Sequence, residues 1–112
     1  MSTLTTSYQI PPLTKRFDTQ VTLPGSKSIA LRQLAMSALV NGKTTLRGIP
    51  DCDDIEAMIE CLGNLGAKIQ QRNTELEISG PIDLSDKTVS INARMSGAST
   101  RILIGMAALR KG

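Results

Sequence analysis

The chain has 112 residues, which allows one domain with a modest aliphatic core. Its net charge of +3 is spread without a dense basic run, and only 2% of its residues are aromatic, which argues against nucleic-acid binding. No apolar run approaches the length of a membrane span.

Residues 1–18 are expected to form a leader segment that is partly mobile, because they lack periodicity and carry Pro11-Pro12. They contain no apolar core of a signal peptide, so we predict a cytoplasmic protein. Cys52 and Cys61 have no metal-ligand spacing, and the chain has no histidine. We interpret both cysteines as reduced thiols.

The stretch 23–32 is typical of a strand end, a tight Pro-Gly turn and a helix start. Val21 and Leu23 alternate with polar residues, as in a half-buried strand. Ser26 is a candidate N-cap. Apolar residues then recur at the spacing of a buried helical stripe: Leu31, Leu34, Ala35, Ala38 and Leu39.

Lys27 is unexpected there, because a cation in the first helical turn faces the positive end of the helix dipole. The segment combines several groups that bind anions: free backbone amides, a lysine, two hydroxyls and a glycine. Together they indicate a phosphate or carboxylate site. Ser28 and Arg32 are four residues apart and share a helix face. The motif is not a P-loop, since Ser26 and not glycine precedes the lysine. The alternative is a solvated lysine beside a chance N-cap.

The middle of the chain predicts a short strand over 43–47 after an Asn41-Gly42 stop, and then a turn over 48–50. Asp53 is expected to cap a second helix in a capping box with Glu56, and Gly66 is expected to end it. The apolar stripe of this helix is Ile55, Met58, Ile59 and Leu62.

Three nearby carboxylates, Asp51, Asp53 and Asp54, suggest a magnesium site as an alternative. The cap and the helix dipole already account for acidic residues at this place, so we predict no metal.

Residues 67–79 predict two strands around a turn at 72–74, with Leu76 and Ile78 on one face. Gly80-Pro81 ends the second strand, and Val89 and Ile91 indicate another. A helix is expected from about residue 98 to 110, with the stripe Leu103, Met106 and Ala107. The predicted order is β-α-β-α-β-β followed by β-α.

A second small-residue turn, residues 96–101, leads into that last helix. Gly97 permits close approach of a ligand to the backbone, and Arg101 adds a cation. The alternative is that small residues serve tight helix packing while Arg101 lies in solvent. If the first interpretation holds, the two turns could face one cleft.

Several segments of the chain, including both motifs, resemble a known protein family. The motif L-P-G-S-K-S-x-x-x-R at 23–32, with further agreement at 41–46, 51–54 and 62–66, is similar to the 5-enolpyruvylshikimate-3-phosphate synthase (3-phosphoshikimate 1-carboxyvinyltransferase) family. The resemblance runs from about Gln20 to the end and returns in degraded form at 95–101. The chain is much shorter than complete members, so it resembles an N-terminal fragment.

The resemblance implies an α/β (α+β) fold with one full βαβαββ unit and the start of a second. Residues 19–112 would be the N-terminal part of an enolpyruvyl transferase domain. The implied reaction moves the enolpyruvyl group of phosphoenolpyruvate to the 5-hydroxyl of shikimate 3-phosphate, in the shikimate pathway of aromatic amino acid biosynthesis. The family needs no metal or organic cofactor.

The resemblance also implies site residues. Lys27 would be catalytic and bridge both substrates, while Ser28 and Arg32 would hold shikimate 3-phosphate. Gly97 and Arg101 match the family segment beside phosphoenolpyruvate.

The second motif departs from the family pattern N-[AS]-G-[TS]-x-x-R. Met95 replaces the asparagine, and Ala98 replaces a hydroxyl residue. Altered phosphoenolpyruvate affinity, insensitivity to glyphosate and a degenerate copy all remain open.

Other interpretations stay open for the whole chain. The family's proton-transfer acids and opposite domain are missing from it, so we expect no turnover without the remainder of the enzyme. One alternative is a UDP-N-acetylglucosamine enolpyruvyl transferase relative, against which Ser28 and Arg32 argue. The other is a non-catalytic module that binds an anion or a partner chain.

Overall fold

The computed structural model describes residues 6–111, in which three helices and three strands are formed. These elements are α1 (Lys27–Leu39), β1 (Gly42–Arg47), α2 (Asp53–Asn64), β2 (Lys68–Arg72), β3 (Glu75–Gly80) and α3 (Gly97–Ala107). The predicted mixed α/β class is confirmed. Within residues 6–111 no helix combines the length and the apolar character needed to cross a bilayer.

The three strands form one antiparallel sheet in the order β1-β3-β2. The β2–β3 turn passes through Asn73, whose φ of 52° is a left-handed backbone that asparagine tolerates. Leu76 and Ile78 of the central strand are both buried on one face. The two strands predicted over 67–79 are therefore confirmed, and Gly80 ends the second one as expected.

The helices supply most of the aliphatic core, into which β3 also inserts side chains. The predicted stripes of α1 and α2 are confirmed except at two positions: Leu39 is 41% exposed, and Ile59 is half-buried. Leu39 is the last residue of α1. The largest fully buried side chains are Leu31, Leu34, Met58, Leu62, Ile78 and Leu103, with Cys61 and Ser99.

Two predicted strands are wrong. Residues 21–23 and 89–91 have no strand structure, and Val21 and Leu23 are 70% and 80% exposed. A strand needs a neighbour for its backbone hydrogen bonds, and neither segment joins the sheet β1-β3-β2. The described order is therefore α-β-α-β-β-α, which lacks the first strand of the predicted unit and the first strand of the next.

The predicted capping box of α2 is also wrong. The N-cap is Cys52, whose side chain makes no capping hydrogen bond, and Asp53 is the first helical residue. Asp53 and Glu56 instead contact the guanidinium of Arg94, a charged donor that outcompetes the reciprocal capping bonds. The other end agrees with the prediction, because Gly66 follows the C-cap with a φ of +105°.

The last helix, α3, stops at Ala107, before the predicted end at Arg110. Arg110 turns back and donates to the backbone carbonyls of Asp83 and Lys87. Leu103 and Met106 are buried as predicted, while Ala107 is half-buried.

The leader prediction is only partly covered by the structure. Residues 1–5 lie outside the described residues, and residues 6–18 contain neither helix nor strand. The boundary between residues 18 and 19 stays a prediction.

Candidate functional site

The first motif begins α1 as the sequence predicted. The Ser26 hydroxyl accepts a hydrogen bond from the amide of Ile29 at 3.4 Å, which confirms the N-cap. Gly25 packs so closely on the loop at 48–50 that a Cβ there would overlap the Gly48 carbonyl oxygen. The glycine therefore lets this loop support the start of the helix.

Lys27, the predicted catalytic residue, is held by α2. Its Nζ lies 2.8 Å from a carboxylate oxygen of Asp54, and its side chain is 51% exposed. The hydrogen bond between them raises the pKa of Lys27 and lowers the pKa of Asp54. Asp54 thus offsets the repulsion between this cation and the helix dipole, an interaction that the sequence analysis missed.

Ser28 and Arg32 share one face of α1, as their spacing predicted. Arg32 Nη1 donates to the backbone carbonyl of Ser28 at 2.9 Å, which lays the guanidinium along the first turns of the helix. The Arg32 side chain is exposed. No carboxylate of residues 6–111 lies within ion-pair distance of it.

The second motif begins α3 with Ser96 as N-cap. The buried Ser96 hydroxyl accepts from the amide of Ser99 at 3.2 Å and lies 2.7 Å from the Ser99 hydroxyl. The Thr100 hydroxyl donates to the Ser96 carbonyl at 2.8 Å. These three hydroxyls are used within the helix start, so Gly97 and Arg101 are the members of the motif left for a ligand.

Gly97 and Arg101 are close together at the surface. A Cβ on Gly97 would lie 3.3 Å from Arg101 Nη1, so the guanidinium covers the glycine. Arg101 also has no carboxylate partner within the described part of the chain. Met95, at the asparagine position of the family pattern, is 97% exposed.

The two motifs meet in one groove between α1 and α3, of about 290 Å³. We call it the α1–α3 groove; its lining residues are Ser28, Leu31, Arg32, Ala98, Arg101 and Ile102. The fold therefore brings together three of the predicted site residues, Ser28, Arg32 and Arg101. Lys27 and Gly97 lie at the N-terminal ends of the two helices and are not among the lining residues.

The three aspartates considered for magnesium do not share one role. Asp54 pairs with Lys27, and Asp53 pairs with Arg94. In residues 6–111 no group of three His, Cys, Asp or Glu side chains could hold a metal ion. Cys52 and Cys61 are both free, and burial raises the pKa of Cys61.

A larger cavity, of about 520 Å³, lies between the loop 48–52, α2 and the β2–β3 turn. Its charged lining residues are the acidic Asp51, Glu56 and Glu75, so it is less suited to an anion than the α1–α3 groove.

The chain was compared with known proteins. A profile of the family described as EPSP synthase (3-phosphoshikimate 1-carboxyvinyltransferase) matches residues 13–112. The 3-phosphoshikimate 1-carboxyvinyltransferase of Aliivibrio salmonicida is 42% identical over 76 residues, which are 66% of this chain and 18% of that protein. The 3-phosphoshikimate 1-carboxyvinyltransferase 2 of Halalkalibacterium halodurans is 36% identical over 105 residues, 94% of this chain and 23% of that protein.

A solved structure, EPSP synthase from Acinetobacter baumannii, superposes with a TM-score of 0.64 and 28% identity over 77% of this chain and 20% of that chain. The chain thus spans roughly a fifth of the length of these relatives. Because the family profile covers nearly all of it and the fold agrees, the chain belongs to the EPSP synthase family.

Proposed function

We propose that this chain supplies part of the substrate site of an enzyme that transfers the enolpyruvyl group of phosphoenolpyruvate to the 5-hydroxyl of shikimate 3-phosphate. The α1–α3 groove carries this proposal. There Arg32 and Arg101, from separate helices, line one groove without a carboxylate partner among the described residues. Both substrates are polyanions, which two neighbouring guanidiniums attract.

The proposed roles are those that the family resemblance implies. Ser28 and Arg32 bind shikimate 3-phosphate on the α1 side, and Gly97 and Arg101 face phosphoenolpyruvate on the α3 side. Lys27 lies at the N-terminal end of α1 and bridges the two substrates. Its ion pair with Asp54 favours the ammonium form, which suits stabilisation of developing negative charge.

The chemistry is an addition followed by an elimination. The 5-hydroxyl attacks C2 of phosphoenolpyruvate while C3 takes up a proton, and loss of phosphate from the tetrahedral intermediate restores the enol ether. The chain contributes cations and backbone amides to these steps, and the proton-transfer groups belong to the remainder of the enzyme. We also propose a cytoplasmic location, which the two free cysteines support.

We predict that this chain alone has no turnover, because about four fifths of the length of its relatives is missing from it. Purified chain should release no phosphate from mixtures of the two substrates, measured by a phosphate assay. Release that rises in proportion to the chain concentration would refute this prediction.

Substrate binding is tested by amide NMR titration with shikimate 3-phosphate at low salt, where screening is weakest. We expect shifts of the amides at 26–32 in the natural chain and their loss in Arg32→Gln. Arg72→Gln on β2 is the matched control, since it removes the same charge away from the groove, and it should bind like the natural chain.

If the amide signals of the folded chain did not shift on addition of shikimate 3-phosphate, the proposed substrate site would be contradicted. Shifts with UDP-N-acetylglucosamine but not with shikimate 3-phosphate would favour the related transferase. Shifts with inorganic phosphate of equal size at equal concentration would favour a general anion-binding module.

A further inference from the structure

One side chain outside the groove connects the second motif to the rest of the fold. Arg94 stands just before the Ser96 cap of α3. Its Nη1 contacts a carboxylate oxygen of Asp53 and lies 3.3 Å from Glu56, and its Nη2 lies 2.8 Å from Glu60. All three carboxylates belong to α2, so one guanidinium fastens the start of α3 to that helix. We call this group of four side chains the Arg94 clamp.

The backbone at Arg94 is unusual. Its φ of 51° lies in the left-handed region, which is unfavourable for a residue with a long side chain. The Asn92 side chain supports the turn by accepting from the Arg94 amide at 2.9 Å. The buried Cys61 thiol of α2 donates to the Asn92 carbonyl at 3.3 Å. A strained backbone conformation held by contacts with one helix indicates a segment whose position matters.

The Arg94 clamp lies on the same helix as Asp54, which binds Lys27. Helix α2 therefore makes ion pairs with Lys27 of the first motif, through Asp54, and with Arg94 just before the second motif, through the clamp. Neither ion pair uses a residue that lines the α1–α3 groove. This separation lets the structure fix the positions of the two helix starts while Arg32 and Arg101 stay available.

We propose that Arg94 is a positioning residue: its guanidinium, held by Asp53, Glu56 and Glu60, fixes the Ser96–Gly97 turn and so directs Arg101 into the α1–α3 groove. The inference deepens the proposed function and rests on it for the identity of the ligand. It makes the α3 half of the groove depend on Arg94, whereas Ser28 and Arg32 on the α1 half take no part in the ion pairs of the clamp.

The guanidinium suits this role better than an ammonium would. Its planar fork contacts three carboxylates through two nitrogens, while a lysine offers a single charged nitrogen. Exposed ion pairs contribute little to global stability, and the three carboxylate side chains are each more than half exposed. Loss of the clamp should therefore affect the local position of α3 far more than the folding of the chain.

The test uses the 112-residue chain with Arg94→Gln, the conservative variant Arg94→Lys and the matched control Arg72→Gln. The first measurement is amide hydrogen exchange at Ser99 and Thr100, whose amides bond to Ser96 at the start of α3. Arg94→Gln should raise these exchange rates about fivefold, as expected for loss of an ionic contact. Arg94→Lys should recover part of the protection, and Arg72→Gln should match the natural chain.

The second measurement separates positioning from general destabilisation. In amide NMR titrations, Arg94→Gln should weaken the response of residues 97–101 to phosphoenolpyruvate, while the response of residues 26–32 to shikimate 3-phosphate stays unchanged. Equal weakening of both responses would show a merely structural role and overturn the proposal.

The two proposals fail in different ways. If the amide exchange rates of Ser99 and Thr100 did not change in Arg94→Gln, the positioning role of Arg94 would be refuted. This holds whether or not the ligands bind. A natural chain that responds to neither ligand would refute the proposed function, while the exchange measurement would still decide whether Arg94 positions α3.

Discussion

Charge pairing between individual side chains separates the cations of this site into two groups. Lys27 and Arg94 are bound by carboxylates of α2. Arg32 and Arg101 have no such partner in the part of the chain that the structure describes, so a carboxylate does not compete for their charge. The carboxylates of α2 hold Lys27 and Arg94 in place, and under the proposed function Arg32 and Arg101 attract the substrate anions.

The Lys27–Asp54 pair predicts a pH dependence of stability. The pKa of Asp54 in the folded chain lies below its ordinary value of 3.8, chiefly because Lys27 donates a hydrogen bond to it. The unfolded chain therefore binds this proton more readily. The stabilisation is complete above the ordinary pKa and is lost as pH falls through the lowered value. Asp54→Asn should destabilise the fold at neutral pH, and this destabilisation should shrink as the pH falls below 3.8.

Urea unfolding of the natural chain and of Asp54→Asn, from neutral pH to below 3.8, measures the difference in their free energies of unfolding. Asp86→Asn is a suitable control, because this exposed aspartate forms no ion pair with the described residues. If Asp54→Asn cost the same free energy at every pH, the carboxylate charge would not be the stabilising feature.

At the scale of helices and strands, the end of α2 sets the path of the chain into the sheet. Gly66 has a φ of +105°, and the amide of the next residue, Ala67, donates to the Leu62 carbonyl at 3.0 Å. A Cβ on Gly66 would also lie 2.9 Å from the backbone nitrogen of Asp83. Glycine satisfies both constraints at once.

We expect Gly66→Ala to lower the free energy of unfolding by more than about 1 kcal/mol, because the change adds strain and a steric overlap. Gly63→Ala is the matched control within the same helix: it is exposed, and its Cβ would meet nothing within 4 Å. That variant should gain about 0.5–1 kcal/mol from higher helix propensity. Thermal unfolding of both variants measures these changes in stability. A Gly66→Ala variant as stable as the natural chain would contradict the prediction.

Features that depend on neighbours in the sequence were predictable. The Ser26 cap and the glycine after α2 follow from spacing within a few residues, and the structure confirms both. The apolar stripes are confirmed except at Leu39, Ile59 and Ala107. That each of the two motifs opens a helix was also predictable, whereas the shared groove of Arg32 and Arg101 depends on how α1 and α3 pack. Their roles in binding remain predictions.

The wrong predictions share a different cause, since each depends on a residue distant in sequence. A strand at 21–23 or 89–91 needs a pairing partner that its own sequence does not specify. The capping box failed because Arg94 takes both of its acidic side chains. The Lys27–Asp54 pair joins two helices, so no local pattern could reveal it.

At the scale of the whole molecule, the packed part of the chain begins near Gly25. Large side chains before it, such as Tyr8 and Ile10, are more than four fifths exposed, and Phe17 is 66% exposed. The segment therefore contributes little buried area to the fold. Deletion of residues 1–18 should leave the melting temperature within about 2 °C of the full chain.

A longer deletion provides the control. Removal of residues 1–26 also takes away the Ser26 cap and the close packing of Gly25, and should cost about 1 kcal/mol or more. A large loss of stability already in the shorter deletion would place the domain boundary before residue 19.

The position of the α1–α3 groove has a consequence for how the chain folds. Arg32 and Arg101 lie in α1 and α3, so the groove closes only when the long segment between residues 32 and 101 has been looped back on itself. The β2–β3 hairpin and the individual helices need only short loops and can form earlier. The groove is then assembled late, and an anion that bridges its two arginines would slow unfolding while it leaves the folding rate almost unchanged.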